Sequence, residues 1–205
     1  MKDRFRGYLP VILDLETGGF NSDCNPILEL ACAFVSMKSG RLQICAEFCW
    51  AVSPFCGAII EDSSLKITGI DLNDPDRSEE EEKAAINSLF KLIRKQIKSE
   101  GCTRAILVAH NASFDQGFLN AACERSGIKR SPFHPFSTID TVSLAAIAFG
   151  HTVLSESCNR AGLDFDASKA HQAAYDANRT AELFCKIVNE SKFELSSRTS
   201  LAEKD

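Results

Sequence analysis

Three apolar runs near the N-terminus, Tyr8 to Leu15, Ile27 to Met37 and Leu42 to Val52, limit most strongly what this chain can fold into. The first is rich in Val, Ile and Leu and stops at Thr17-Gly18-Gly19, which reads as a buried strand followed by a turn. The third alternates, so that Ile44, Ala46, Phe48, Trp50 and Val52 are expected on one face of a strand. Lys38-Ser39-Gly40 separates the second run from the third, which predicts an antiparallel hairpin.

Helical periodicity follows. Asp76 or Ser78 can cap a helix whose first turn carries Glu79 to Glu82, with Ala85, Leu89, Leu92, Ile93 and Ile97 facing inward and Gly101 ending it. Ala105 to Ala109 is a short strand leading into His110-Asn111, and Asp115 to Ser126 reads as helix. Lys129 to Pro135 holds two prolines and reads as loop, and Ser137 to Asp140 as a brief strand. Helical segments are expected around Thr141–Phe149 and Val153–Ala161, and a last helix from near His171 to about Asn189, with Ala177, Ala181, Phe184 and Val188 inward. The expected organisation is one α/β domain over 1–190, a mixed sheet flanked by helices in the ribonuclease H-like order, and a polar tail over 191–205.

The net charge of −5 argues against a protein that coats nucleic acid non-specifically, but leaves room for a local basic patch. Nine cysteines are dispersed with no CxxC pair and no zinc spacing, which reads as reduced thiols acting as small core residues in a cytoplasmic protein. Met1 to Arg6 lacks the apolar segment of a signal peptide, and no run nears the roughly 18 apolar residues of a membrane span.

Asp14-Leu15-Glu16 places two carboxylates on the same side of a strand end. Such a pair repels itself unless a cation intervenes, and hard oxygen ligands suit Mg²⁺ or Mn²⁺. A solvated strand end fits the same tripeptide. Asp115 follows a central strand, where a helix N-cap is the plain alternative. His171 and Asp176 are five apart, a spacing that does not share one face of a continuous helix. They can converge if His171 lies in the loop and Asp176 on the helix.

Asp14-x-Glu16, Asp115 and His171-x₄-Asp176 together resemble the acidic motifs of the DEDD exonucleases, in the subclass with histidine in the third motif. Within that superfamily the chain is similar to the ribonuclease T family. Arg4-Phe5-Arg6-Gly7, Asn73-Asp74-Pro75-Asp76-Arg77, Val108-Ala109-His110-Asn111-Ala112 and Pro132-Phe133-His134-Pro135-Phe136 carry that likeness in order and spacing, from about Phe5 to Asn189. The resemblance implies 3′→5′ hydrolysis of RNA ends, trimming tRNA and other stable RNA precursors such as those of rRNA, with two Mg²⁺ per subunit (Mn²⁺ as an alternative) about 3.5–4 Å apart. It implies Asp14 between both ions, Glu16 and Asp176 on the ion beside the attacking water, Asp115 on the other, and His171 as general base.

The resemblance further implies that Phe20, Phe114 and Phe136 stack against terminal bases; core packing is the ordinary role of Phe. It implies a homodimer in which Arg4, Arg6, Lys98, Arg104 and Lys129 of one subunit feed RNA to the other. In one place the chain departs from the family: Ser63 and Ile67 stand where a glutamate and a phenylalanine help read the terminal base, with Glu61 nearby. Two other functions compete, a DEDD exonuclease acting mainly on single-stranded DNA ends in proofreading or repair, and a catalytically dead nucleic-acid-binding module. The presence of all five chemical residues argues against the second.

Overall fold

The computed structural model describes residues 1–191, so all of the expected tail except Ser191 lies outside the described residues. Six strands, β1 (Tyr8–Thr17), β2 (Ile27–Lys38), β3 (Arg41–Ser53), β4 (Glu79–Glu81), β5 (Arg104–Ala109) and β6 (Phe133–Asp140), form one sheet in the order β4-β3-β2-β1-β5-β6. β2 runs antiparallel to both of its neighbours, β1 and β3, whereas β5 runs parallel to β1, β6 parallel to β5, and β4 parallel to β3. The helices are α1 (Asp62–Thr68), α2 (Glu82–Ser99), α3 (Ala112–Arg125), α4 (Thr141–Phe149), α5 (Leu154–Arg160) and α6 (Ala173–Glu190).

β1 reads as a continuous apolar run because helices cover both of its faces. Leu9, Val11, Leu13 and Leu15 join Ile86, Leu89, Phe90 and Phe118 of α2 and α3 in the larger core. Ile12 points the other way, onto Ala181, Phe184 and Val188 of α6. Each large side chain buried there contributes about 1.5–3 kcal/mol relative to leaving it in water. Since β1 alternates, the even positions Asp14 and Glu16 share the face that α6 covers.

The structure corrects the sequence expectations at several points. Ile44 does not share a face with Ala46, Trp50 and Val52. A bulge pairs Phe34 with Ala46 but Val35 with Ile44, leaving Cys45 as the extra residue. Ile44 therefore packs with the α6 cluster and the others with the α2 cluster. Neither Asp76 nor Ser78 caps α2. Glu79–Glu81 instead pair with Ala51–Ser53 as a charged edge strand, and the helix begins at Glu82. α1 has no counterpart in the sequence reading, because a seven-residue helix shows too little periodicity to register. β6 starts at Phe133, within the expected loop, with an irregular register between Ala105 and Leu107 that accommodates Pro135. All nine cysteines are unpaired; Cys32, Cys123, Cys158 and Cys185 are buried, but Cys45, Cys49 and Cys56 are exposed and are not core residues. Among the described residues, no helix is long and apolar enough to cross a membrane.

Candidate active site

The end of β1 is held open by a turn that only glycine fits. A Cβ on Gly19 would lie 2.4–2.5 Å from the side chains of Asn25 and Glu61. Asn25 is fully buried; its Nδ2 donates to Ile59 O and its Oδ1 accepts from Asn21 N. Glu61 N donates to Gly18 O at 2.7 Å, which docks α1 beside the strand end. The ladder between β1 and β2 shifts register immediately after Glu16, so the chain peels away from the sheet beyond the second carboxylate.

A cleft of about 760 Å³ opens there, and Asp14, Glu16, Asp115, His171 and Asp176 all line it. Asp115 is not the cap of α3. The helix starts three residues earlier, after Asn111 in the left-handed conformation (φ 76°), and Asp140 accepts from the amides of Asn111 and Ala112. Asp115 is thereby left buried and facing the cleft. His171 lies in the loop before α6 with φ 64°, a conformation costly for a non-glycine residue. Asp176 Oδ2 accepts from His171 N at 2.9 Å and holds that turn. This is how a spacing of five converges. Ligand atoms of Glu16, His171 and Asp176 come within 4.8 Å of one another.

The electrostatics favour a cation. Burial, then Asp115, Glu16, Asp176 and Glu29, push the Asp14 carboxyl well above its ordinary value. Burial and the neighbouring Asp176 and Glu29 raise Glu16 to about 8, and burial raises Asp115 and Asp176. Asp176 Oδ1 is buried with no hydrogen-bond partner among the described residues. Crowded carboxylates with spare oxygens fit a hard divalent ion, which would relieve both the repulsion and the unsatisfied acceptor.

Phe20 and Phe114 line the same cleft with ring centroids 6.3 Å apart, and Phe20 is 75% exposed. Phe136 is 81% exposed and packs edge-on against His134, outside this cleft. α1 contributes Ser64, Ile67 and Thr68 to the wall; Ser63 faces solvent. The sequence reading missed Ser64 and Thr68 with their helix. It also missed His110, Thr152 and Val153. His110 Nε2 donates to Thr152 O at 2.9 Å, tying the 151–153 loop to the end of β5, and burial lowers the His110 pKa. In the sequence, only the His110-Asn111 pair at the end of the Ala105 to Ala109 run hints at that contact.

The basic residues are dispersed. Arg104 and Lys129 meet in a second cleft of about 510 Å³ with Arg130, Gln116 and Asn120. Arg4 donates to Val188 O and Ser191 Oγ at the end of α6, Arg6 lies over the Tyr8 ring, and Lys98 is exposed on α2.

Solved structures share this architecture. Escherichia coli exonuclease I in complex with a dT13 oligonucleotide superimposes with a TM-score of 0.69 at 16% identity, over 89% of this chain and 41% of that one. The nuclease domain of 3′hExo, described as a DEDDh family member bound to rAMP, gives 0.65 at 21% identity, over 87% of this chain and 90% of that one. The architecture is that of the ribonuclease H-like exonucleases. At the sequence level the RNase_T model, described as exonuclease, matches residues 11–184. Ribonuclease T of Hahella chejuensis is 55% identical over 92% of this chain and 87% of its own length, and ribonuclease T of Escherichia coli K12 is 51% identical over 93% and 89%. The chain belongs to the RNase_T exonuclease family and is a nuclease hydrolase of the DEDD 3′-exonuclease kind.

Proposed function

We propose that this protein is a 3′→5′ exoribonuclease that trims the 3′ ends of tRNA and other stable RNA precursors in the cytoplasm, working as a homodimer. The observation that carries this reading is the convergence of Asp14, Glu16, Asp115, His171 and Asp176 on one cleft, in a chain about half identical to ribonucleases T. Asp14, Glu16, Asp115 and Asp176 would hold two Mg²⁺ (Mn²⁺ also fits the oxygen donors). Bound there, the ions would supply Lewis acidity for in-line displacement at the terminal phosphodiester.

The chain's own groups then have definite tasks. His171 takes the proton of the attacking water; an exposed imidazole beside Glu16 and Asp176 can pass it on to solvent. Asp176 orients that imidazole by gripping its backbone amide. Phe20 and Phe114 offer a stacking surface next to the acids, where a terminal base must rest, and stacking contributes about 1–3 kcal/mol per base. Phe136 stacks on bases further along the strand. Arg4, Arg6, Lys98, Arg104 and Lys129 contact phosphates of RNA held by the partner subunit, so an acidic protein can hold an acidic substrate.

A second reading, action on single-stranded DNA 3′ ends, draws on the fold shared with exonuclease I, solved with an oligodeoxynucleotide. Matched RNA and DNA duplexes with 3′ overhangs, incubated with and without Mg²⁺, separate the two. The proposal expects Mg²⁺-dependent shortening of RNA. Shortening of DNA alone would replace it with the second reading.

A further inference from the structure

The Asn73-Asp74-Pro75-Asp76-Arg77 segment has no task in the chemistry above, yet it is built with care. Asp71 and Asp74 side chains accept from the amides of Asn73 and Asp76, and Arg77 N donates to Asp74 O. These turns turn Arg77 inward, where its side chain is only 10% exposed. There Arg77 Nη2 donates to Leu28 O at 2.6 Å and Nε to Glu79 at 2.6 Å, while Nη1 lies 3.8 Å from Glu29 Oε1.

Glu29 is the residue paired with Glu16 across β1 and β2, so it stands beside the acidic cluster without belonging to the group that could share an ion. Its oxygens are otherwise engaged. Oε2 accepts from Ala173 N at 3.2 Å, the first residue of α6. The cap position of that helix, Gln172, makes no side-chain cap of its own. The N-terminus of α6 is thus capped in trans, from the neighbouring sheet, by a carboxylate that an arginine from the Asn73–Arg77 loop holds in place. Two residues before Ala173 stands His171 in its strained left-handed turn, and one turn after it stands Asp176.

We infer that Glu29, held by Arg77, is a positioning residue: by capping Ala173 it fixes the His171 loop against Glu16 and Asp176, and so orients the general base without touching substrate. The inference rests on the reading of His171 as that base. A negative group at a helix N-terminus is favourable in itself, and here the cap is rigid because Glu29 sits on a central strand. Gln at this position keeps the acceptor for Ala173 but loses the charge that faces Arg77; Ala loses both.

The test uses the full chain, with Glu29→Ala, Glu29→Gln and Arg77→Gln, each alone and in a His171→Ala background. Turnover is measured on a 5′-labelled single-stranded RNA with Mg²⁺, and amide exchange of Ala173 in the metal-free protein. Glu29→Ala is expected to lower kcat about tenfold with KM changed less than about twofold, and Glu29→Gln to restore most of it. In the His171→Ala background the same change should cost less than about twofold, because the group being positioned is gone. Exchange at Ala173 should accelerate about tenfold in Glu29→Ala, as for a lost cap. Equal losses in both backgrounds, a KM effect alone, or unchanged exchange at Ala173 would overturn the inference. Should Glu29→Ala fail to fold, Arg77→Gln carries the same comparison with smaller changes in the same direction. Full turnover in His171→Ala alone would instead remove the base assignment, and amide exchange would still decide whether Glu29 caps α6.

Discussion

Replacing Glu16 with Gln should stabilise the metal-free protein while abolishing its response to Mg²⁺. Burial, Asp176 and Glu29 raise the Glu16 carboxyl from 4.5 to about 8. The folded state therefore holds a proton that the unfolded chain releases. The associated stability is complete below 4.5 and drains away as pH rises to about 8. Each pH unit above the unfolded value costs about 1.4 kcal/mol until Glu16 ionises, so at pH 7 the cost is about 3 kcal/mol. Gln has nearly the same volume and never ionises, so the cost vanishes. For a domain of this size that corresponds to a melting temperature higher by roughly 6–12 °C. At pH 5 the advantage should shrink below about 1 kcal/mol. Mg²⁺ at about one thousand times the dissociation constant should reverse the order, since wild type then gains about 4.1 kcal/mol and the variant gains little. Thermal melts followed by circular dichroism, at both pH values, in EDTA and in Mg²⁺, read all of this. The reasoning fails if the variant in EDTA at pH 7 melts at or below wild type, or if the difference is the same at pH 5.

Arg104→Ala with Lys129→Ala should weaken RNA binding and lower the slope of log affinity against log salt by roughly two, one per lost phosphate contact, as measured by fluorescence anisotropy over a salt series. An unchanged slope would place the second cleft away from the RNA path. Phe20→Ala and Phe114→Ala should each weaken binding of single-stranded RNA by about 1–3 kcal/mol without altering the fold; loss of thermal stability with unchanged affinity would make these rings packing residues only. On RNAs differing only in the last base, the chain should discriminate only weakly among terminal bases, because Ser63 faces solvent and Ile67 cannot stack. Ser63→Glu with Ile67→Phe should sharpen that discrimination, and no change on the double substitution would contradict the expectation.

The strands and the long helices were readable because burial imposes periodicity on them. β1 is apolar from Tyr8 to Leu13, and α2 and α6 each carry one clean apolar stripe. What escaped was set by partners far along the chain. The bulge at Cys45 depends on pairing with Phe34 and Val35, so perfect alternation in the sequence hides a switch of face. Glu79–Glu81 look like the first turn of a helix until Ala51–Ser53 claim them as a strand. At the candidate site, the positions of Asp14, Glu16, Asp115, His171 and Asp176 follow from motif spacing, and the structure brings them into one cleft. The supporting contacts were not legible, because Asp140 under α3, Glu29 at α6 and His110 on Thr152 O are long-range bonds with no local pattern.

The central claim, that these carboxylates hold the ions for 3′-end hydrolysis, is tested most directly with Asp14→Asn, which removes one charge from the middle of the cluster and barely changes volume. A 5′-labelled single-stranded RNA is incubated with wild type or variant in Mg²⁺, and products are resolved to single nucleotides. Wild type should produce a ladder shortening from the 3′ end that EDTA abolishes, while the variant, folded and still binding RNA, leaves the substrate intact. A variant that shortens the RNA at the wild-type rate would contradict the account.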